Sequence, residues 1–141
     1  MNRLARGLAL LASVLPLGCI ASNVVAPEQR MVAADPLQLP WGPVDASALA
    51  GLWESVDVQG DAAASLRRIW YVFADGGRYT GAALAEVDGV LAFQTLSGTW
   101  SLAAAGLVLD GADAVPCAMA PDHLRLSAPG GIVVLKRGTL Q

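Results

Sequence analysis

Charge is scarce in this 141-residue chain: Asp, Glu, Lys and Arg make up 15% of it, and aromatic residues only 6%. Nine basic against 12 acidic residues give a net charge of −3, and no basic block occurs. Nucleic-acid binding, which needs clustered cations against phosphate, therefore has no support. Cysteine is nearly absent, with two in the whole chain, so a disulfide-stapled scaffold is not available. No phosphate loop, nucleophile elbow, His-Glu-x-x-His or Cys-x-x-Cys motif is found, which leaves no catalytic residue, no metal site and no cofactor to assign. What remains is apolar. A hydrophobic content of 55% is too high for a wholly disordered chain, and the length suits at most one ordinary domain. Fifteen glycines and eight prolines favour turns over long helices.

The first residues, MNRLARGLALLASVLPLGCIASN, place Arg3 and Arg6 before an apolar run from Leu8 to Gly18. At about 11 residues this run is short of the ~20 that cross a bilayer as a helix. With the small residues that follow, it has the pattern of an export signal over 1–21. Without Arg3 and Arg6, seven basic residues stand against 12 acidic ones, a net −5 over 22–141. Small residues at Cys19 and Ala21 suit an ordinary signal peptidase. The stretch LPLGC (15–19) also resembles the lipobox of bacterial lipoproteins, with Gly18 and Leu15 in place and Pro16 departing from it. That resemblance implies lipidation of Cys19 and membrane association through its acyl chains. The expected locations are periplasmic, outer-membrane-anchored or secreted. Either outcome leaves Cys117, in the apolar setting VPCAM, without an internal partner, and an inert thiol is expected.

Residues 22–48 hold four prolines and no sustained period, and read as a Pro-containing linker or tether. Trp41 within it either docks back on the folded unit or meets a partner. From Leu49 to Gln141 the texture is that of short strands. GLWESVDV (51–58) alternates imperfectly, and LRRIWYVFA (66–74) is rich in β-formers. RYTGAALAE (78–86) returns after the turn ADGG, with Gly81 at a bulge or close approach. A turn at VDG leads into VLAFQTL (90–96), a second at Ser97-Gly98 into TWSLA (99–103), and LVLDG (107–111) follows. AVPCAM (114–119) reads as a weak edge strand because Pro116 lacks a donor. DHLRLS (122–127) and IVVLKR (132–137) close the domain. The expected fold is all-β: a small antiparallel up-and-down β-barrel of about eight strands over 49–141, with a helical turn near its mouth as a further option at ASALAGLW or DAAASLRR.

Gly51-Leu52-Trp53 resembles the G-x-W signature of lipocalins and lipocalin-like domains. FADGGRYTG (73–81) and SGTWSL (97–102) resemble elements of the bacterial members. The resemblance covers roughly 50–137. It implies that a basic side chain of the last strand packs over Trp53 at one barrel end. Two-residue alternation with Val133 and Leu135 selects Arg137 over Lys136. The T-D-Y-x-x-Y motif and the long C-terminal helix of the complete fold are absent.

In such a barrel Trp70, Tyr71, Phe73, Tyr79, Phe93 and Trp100 are candidates to line an apolar pocket, or else form an ordinary core. Abundant alanines are compatible with both. Asp75, Asp88, Asp110 and Asp122 fall in turns, where carboxylates cap backbone N–H groups. His123 alternates with Arg125 opposite Leu124 and Leu126, facing solvent, and Glu54 and Asp57 do not form a catalytic pair. The function expected is non-catalytic binding of a small apolar molecule or lipid in the cell envelope. The alternative is a filled barrel acting as a protein-interaction or inhibitory module.

Overall fold

The computed structural model describes residues 35–139. The export segment, Cys19 and the first part of the Pro-containing segment lie outside the described residues. Eight antiparallel strands are present: β1 (Gly51–Gln59), β2 (Leu66–Phe73), β3 (Arg78–Val87), β4 (Val90–Ala103), β5 (Gly106–Leu109), β6 (Cys117–Ala120), β7 (His123–Ala128) and β8 (Gly131–Arg137). They form one sheet in the order β5-β4-β3-β2-β1-β8-β7-β6. This is the all-β up-and-down barrel expected from the alternation and the turn residues.

The barrel is nearly closed. Its open side is joined where Leu107 of β5 and Val115, just ahead of β6, exchange N–H···O bonds of 2.8 Å in each direction. Gly106, at φ +141°, permits that approach, since a Cβ there would lie 2.0 Å from the Val115 carbonyl oxygen. Pro116, without an N–H, sits where the chain changes partners. Val115 pairs with β5, the Pro116 carbonyl accepts from Ser127 N at 2.9 Å, and Cys117 onward pairs with β7.

Two details differ from the sequence reading. Ser97-Gly98 is not a turn: β4 runs unbroken through it, paired with β3 from Arg78↔Thr99 to Val87↔Val90. The glycine serves another purpose. A Cβ on Gly98 would lie 1.7 Å from a carboxylate oxygen of Asp110, which folds back over this position. Residues 41–48, read as linker, pack on the barrel. Gly42 and Met119 exchange backbone bonds of 2.8 and 2.9 Å, and the Arg125 guanidinium lies 4.9 Å from the Trp41 ring centroid. The helical turn α1 (Ala46–Leu49) follows, capped at its start by Asp45, whose carboxylate accepts from Ser47 N and Ser47 Oγ.

Inward faces supply the core. Leu49, Trp53, Phe73, Leu107, Leu124 and Leu135 are each no more than 1% exposed, and Val134, on the other face of β8, is as deeply buried. The imperfect alternation of β1 has a physical cause. Register against β8 slips between Ser55 and Asp57, leaving Val56 as the extra, solvent-facing residue of a bulge. Backbone pairing with β2 ends at Glu54↔Trp70, and the buried Ser55 hydroxyl accepts the next donor, Ile69 N, at 3.0 Å.

Candidate functional site

Three groups of side chains bear on function: the Trp53 lock, the inward aromatic set and the outward face of the β3–β4 hairpin.

Trp53 and Arg137 stand directly opposite one another on β1 and β8. The guanidinium carbon lies 4.3 Å from the indole centroid, within cation–π range. Both side chains also serve α1, whose last carbonyls lack intrahelical donors. Trp53 Nε1 donates to Leu49 O at 2.8 Å, Arg137 Nη1 to Ala50 O at 2.9 Å, and Arg137 Nη2 to Ala48 O. Strand pairing thus fixes the stack, and the stack pins the short helix across this end of the barrel. Lys136, the other candidate, is exposed.

Of the six aromatics proposed as a pocket lining, four come together. Phe73 is at the centre of the set, with ring centroids 5.4 Å from Tyr71, 6.2 Å from Tyr79 and 5.6 Å from Trp100. Their polar atoms are largely satisfied: Trp100 Nε1 donates to Ala74 O at 2.9 Å, and Tyr79 OH to Asp110 Oδ2 at 2.7 Å. Trp70 and Phe93 do not join them. With Ile69, Tyr71 and Phe73 directed inward, alternation turns Trp70 outward. There it lies 6.3 Å from Phe93, with the Arg68 guanidinium 5.8 Å from its ring centroid. Arg68 in turn pairs with Glu54 at 3.1 Å and Arg67 with Glu86 at 2.8 Å, both on the surface.

Among the recesses on the surface of the described residues are two of similar size. One, of about 300 Å³, lies between Pro43-Val44, the β4–β5 turn and Cys117. The other, of about 250 Å³, lies beside the β1 bulge between Val56 and Leu66. None of the six aromatics lines either recess. The Cys117 thiol is half-buried, and that burial pushes its pKa up, the reverse of what activates a thiol. His123 is on the outward face of β7, where Nδ1 donates to Pro121 O at 2.8 Å. Among the described residues, no group of three or more His, Cys, Asp or Glu side chains comes together around a common point.

Asp110 is the residue that sequence reasoning placed correctly in a turn but whose partner it missed. At φ +54° its carboxylate accepts from Thr99 N at 2.9 Å and from Tyr79 OH. These bonds hold its pKa below the usual carboxylate value, while the same contact pushes Tyr79 up to about 12. A tyrosine whose folded-state pKa is raised binds its proton more tightly when folded. Its contribution to stability is therefore complete below pH ~10 and is lost between about 10 and 12. Asp110, with a lowered value, adds stability that is lost as the pH falls below the carboxylate range. Tyr79→Phe is expected to flatten the alkaline fall in stability, measured by urea denaturation from pH 9 upward. An unchanged alkaline limb would mean that the contact does not govern it. Tyr71, raised by burial, contributes in the same direction and remains in the variant.

The hairpin of β3 and β4 carries the feature that alternation does not foretell. Its turn, Asp88-Gly89, has positive φ at both residues, as a type I′ hairpin turn requires. Beyond it, six consecutive residues of β4, Val90 to Thr95, are exposed, whereas further along the strand exposed and partly buried residues alternate. Val87, Val90, Leu91 and Phe93 are 60–66% exposed. The hairpin therefore runs past the packed wall with apolar side chains on both faces.

Comparison with protein-family models, with curated proteins and with solved structures finds no match.

Proposed function

We propose that this chain is a non-catalytic, lipocalin-like barrel of the cell envelope that acts as a protein-interaction module, with the projecting β3–β4 hairpin as its contact surface. The observation that carries the reading is the run of exposed residues Val90–Thr95. Apolar side chains facing water on both sides of a strand stabilise nothing in the isolated barrel, and contiguous apolar surface of this kind marks contact sites. The filled Trp53 end supports the same reading. Phe73 spends its ring faces and edges on three aromatic neighbours, so the set expected to hold a small apolar molecule or lipid packs mainly on itself. Export over 1–21, with release or with lipid anchoring at Cys19, would present the hairpin outside the cytoplasm.

A photo-activatable residue placed at Leu91 is expected to cross-link one defined protein in the envelope of the native host. The same residue at Ser101, outward on β4 but paired with β5, serves as the control. No product at Leu91, or identical products at both positions, would remove the hairpin from consideration.

A further inference from the structure

We propose that the open edge of β4 receives a second copy of this chain, the two β4 strands pairing antiparallel about a twofold axis at Phe93. The inference rests on the hairpin being the contact surface and names its occupant.

The backbone sets the geometry. Trp100 N donates to Gly77 O, towards β3, whereas Thr99 faces the other way, its N–H and C=O both held by Asp110. In an antiparallel strand both main-chain groups of a residue point to the same side, and the side alternates. The N–H and C=O groups of Leu91, Phe93, Thr95 and Ser97 therefore point away from β3. Pairing with β5 begins only at Trp100, so no described strand meets them. Among the described residues this is a row of free donors and acceptors next to exposed apolar side chains.

Charge identifies the partner. Exposed edges are usually protected by a charged side chain or a proline. Here not one charged residue or proline occurs from Val90 to Leu109, although β1, β2, β3, β7 and β8 all carry charge. An uncharged strand pairs with its own copy without placing like charges opposite each other. With the axis at Phe93, the two Phe93 rings are cross-strand neighbours and Leu91 faces Thr95 of the other copy. On the opposite face Val90 meets Leu96, and Ala92 meets Gln94. The exposed parts of Leu91 and Phe93 on the outer face and of Val87 and Val90 on the inner face together make apolar surface on the order of 400 Å², divided between the two faces that a paired strand would extend. Ala92, Gln94, Thr95 and the strand backbone extend it towards the ~800 Å² per partner of a stable interface.

The test uses opposite charges on the axis. Phe93 is 64% exposed, so Phe93→Glu and Phe93→Lys leave the barrel core intact, which unchanged thermal unfolding of each variant checks. Sedimentation equilibrium on the chain, as its host exports and processes it, is expected to show a dimer at micromolar concentration. Each variant alone places like charges face to face and should weaken dimerisation by roughly 100-fold or more. An equimolar mixture of the two variants should recover the dimer. Three results would overturn the proposal: a wild-type chain monomeric at about 100 µM, where even weak pairing is visible; variants that dimerise as the wild type does; or a mixture that stays monomeric. If the chain is monomeric while Leu91 still cross-links a defined envelope protein, only the second-copy inference fails. If Leu91 cross-links nothing either, the interaction reading fails with it.

Discussion

Trp53→Ala is expected to lower the free energy of unfolding by about 3–5 kcal/mol, the usual cost of deleting a large buried aromatic side chain. The indole is 0% exposed, so its removal leaves a cavity rather than a surface dent. It also leaves Leu49 O without its donor and the Arg137 guanidinium without the ring it covers. Against a typical stability of about 5–15 kcal/mol, the loss takes from about a fifth of the total to nearly all of it. Urea denaturation followed by tryptophan fluorescence and circular dichroism measures it. Trp53→Phe separates the contributions: it keeps most of the apolar volume and loses the Nε1 donor, for about 1–3 kcal/mol. A Trp53→Ala loss under 1 kcal/mol would mean that the ring does not organise this end of the barrel.

Arg137→Met should cost about 2–4 kcal/mol, because two charge-assisted bonds to α1 and the cation–π stack go together. Methionine preserves the aliphatic stem, so the loss reports on the guanidinium and not on packing. Arg137→Lys is expected to recover only part of it, since an ammonium cannot serve Ala48 O and Ala50 O as a planar fork does. In a double-mutant cycle, Trp53→Phe and Arg137→Met should be coupled rather than additive, as residues in direct contact are. Additive losses would show that each acts on α1 independently.

The Trp53–Arg137 pair was legible because the resemblance of Gly51-Leu52-Trp53 to the lipocalin signature implied a basic cap from the last strand, and the period of two in that strand then chose Arg137 over Lys136. The faces of β2 were not. Between Ile69 and Ala74 there is no polar residue to mark the phase, so Trp70 and Phe73 look alike in sequence although one faces outward and the other is buried. Gly98 was misread as part of a turn because its reason for being glycine is the Asp110 carboxylate, which arrives from across the strand pair and leaves no local trace. Trp41 was left with two fates since the cation that covers it, Arg125, is far away in sequence. The exposure of Val90–Thr95 was hidden for a different reason. A strand's own sequence does not record where its neighbours stop, and β5 reaches only as far along β4 as Trp100.

The seam between Leu107 and Val115 has a consequence for how the molecule breathes. The long-range closure, β1 against β8, spans from Trp53 to Arg137 and includes the lock. At the seam, by contrast, the wall is joined by one rung between segments eight residues apart. Opening it breaks two hydrogen bonds and leaves the first and last strands zipped together. Deuterium should therefore reach the amides of Leu107 and Val115 well before that of Trp53. The neighbouring Cys117 thiol, half-buried in the ground state, would be exposed further during those openings, so its labelling by a thiol reagent should quicken with them.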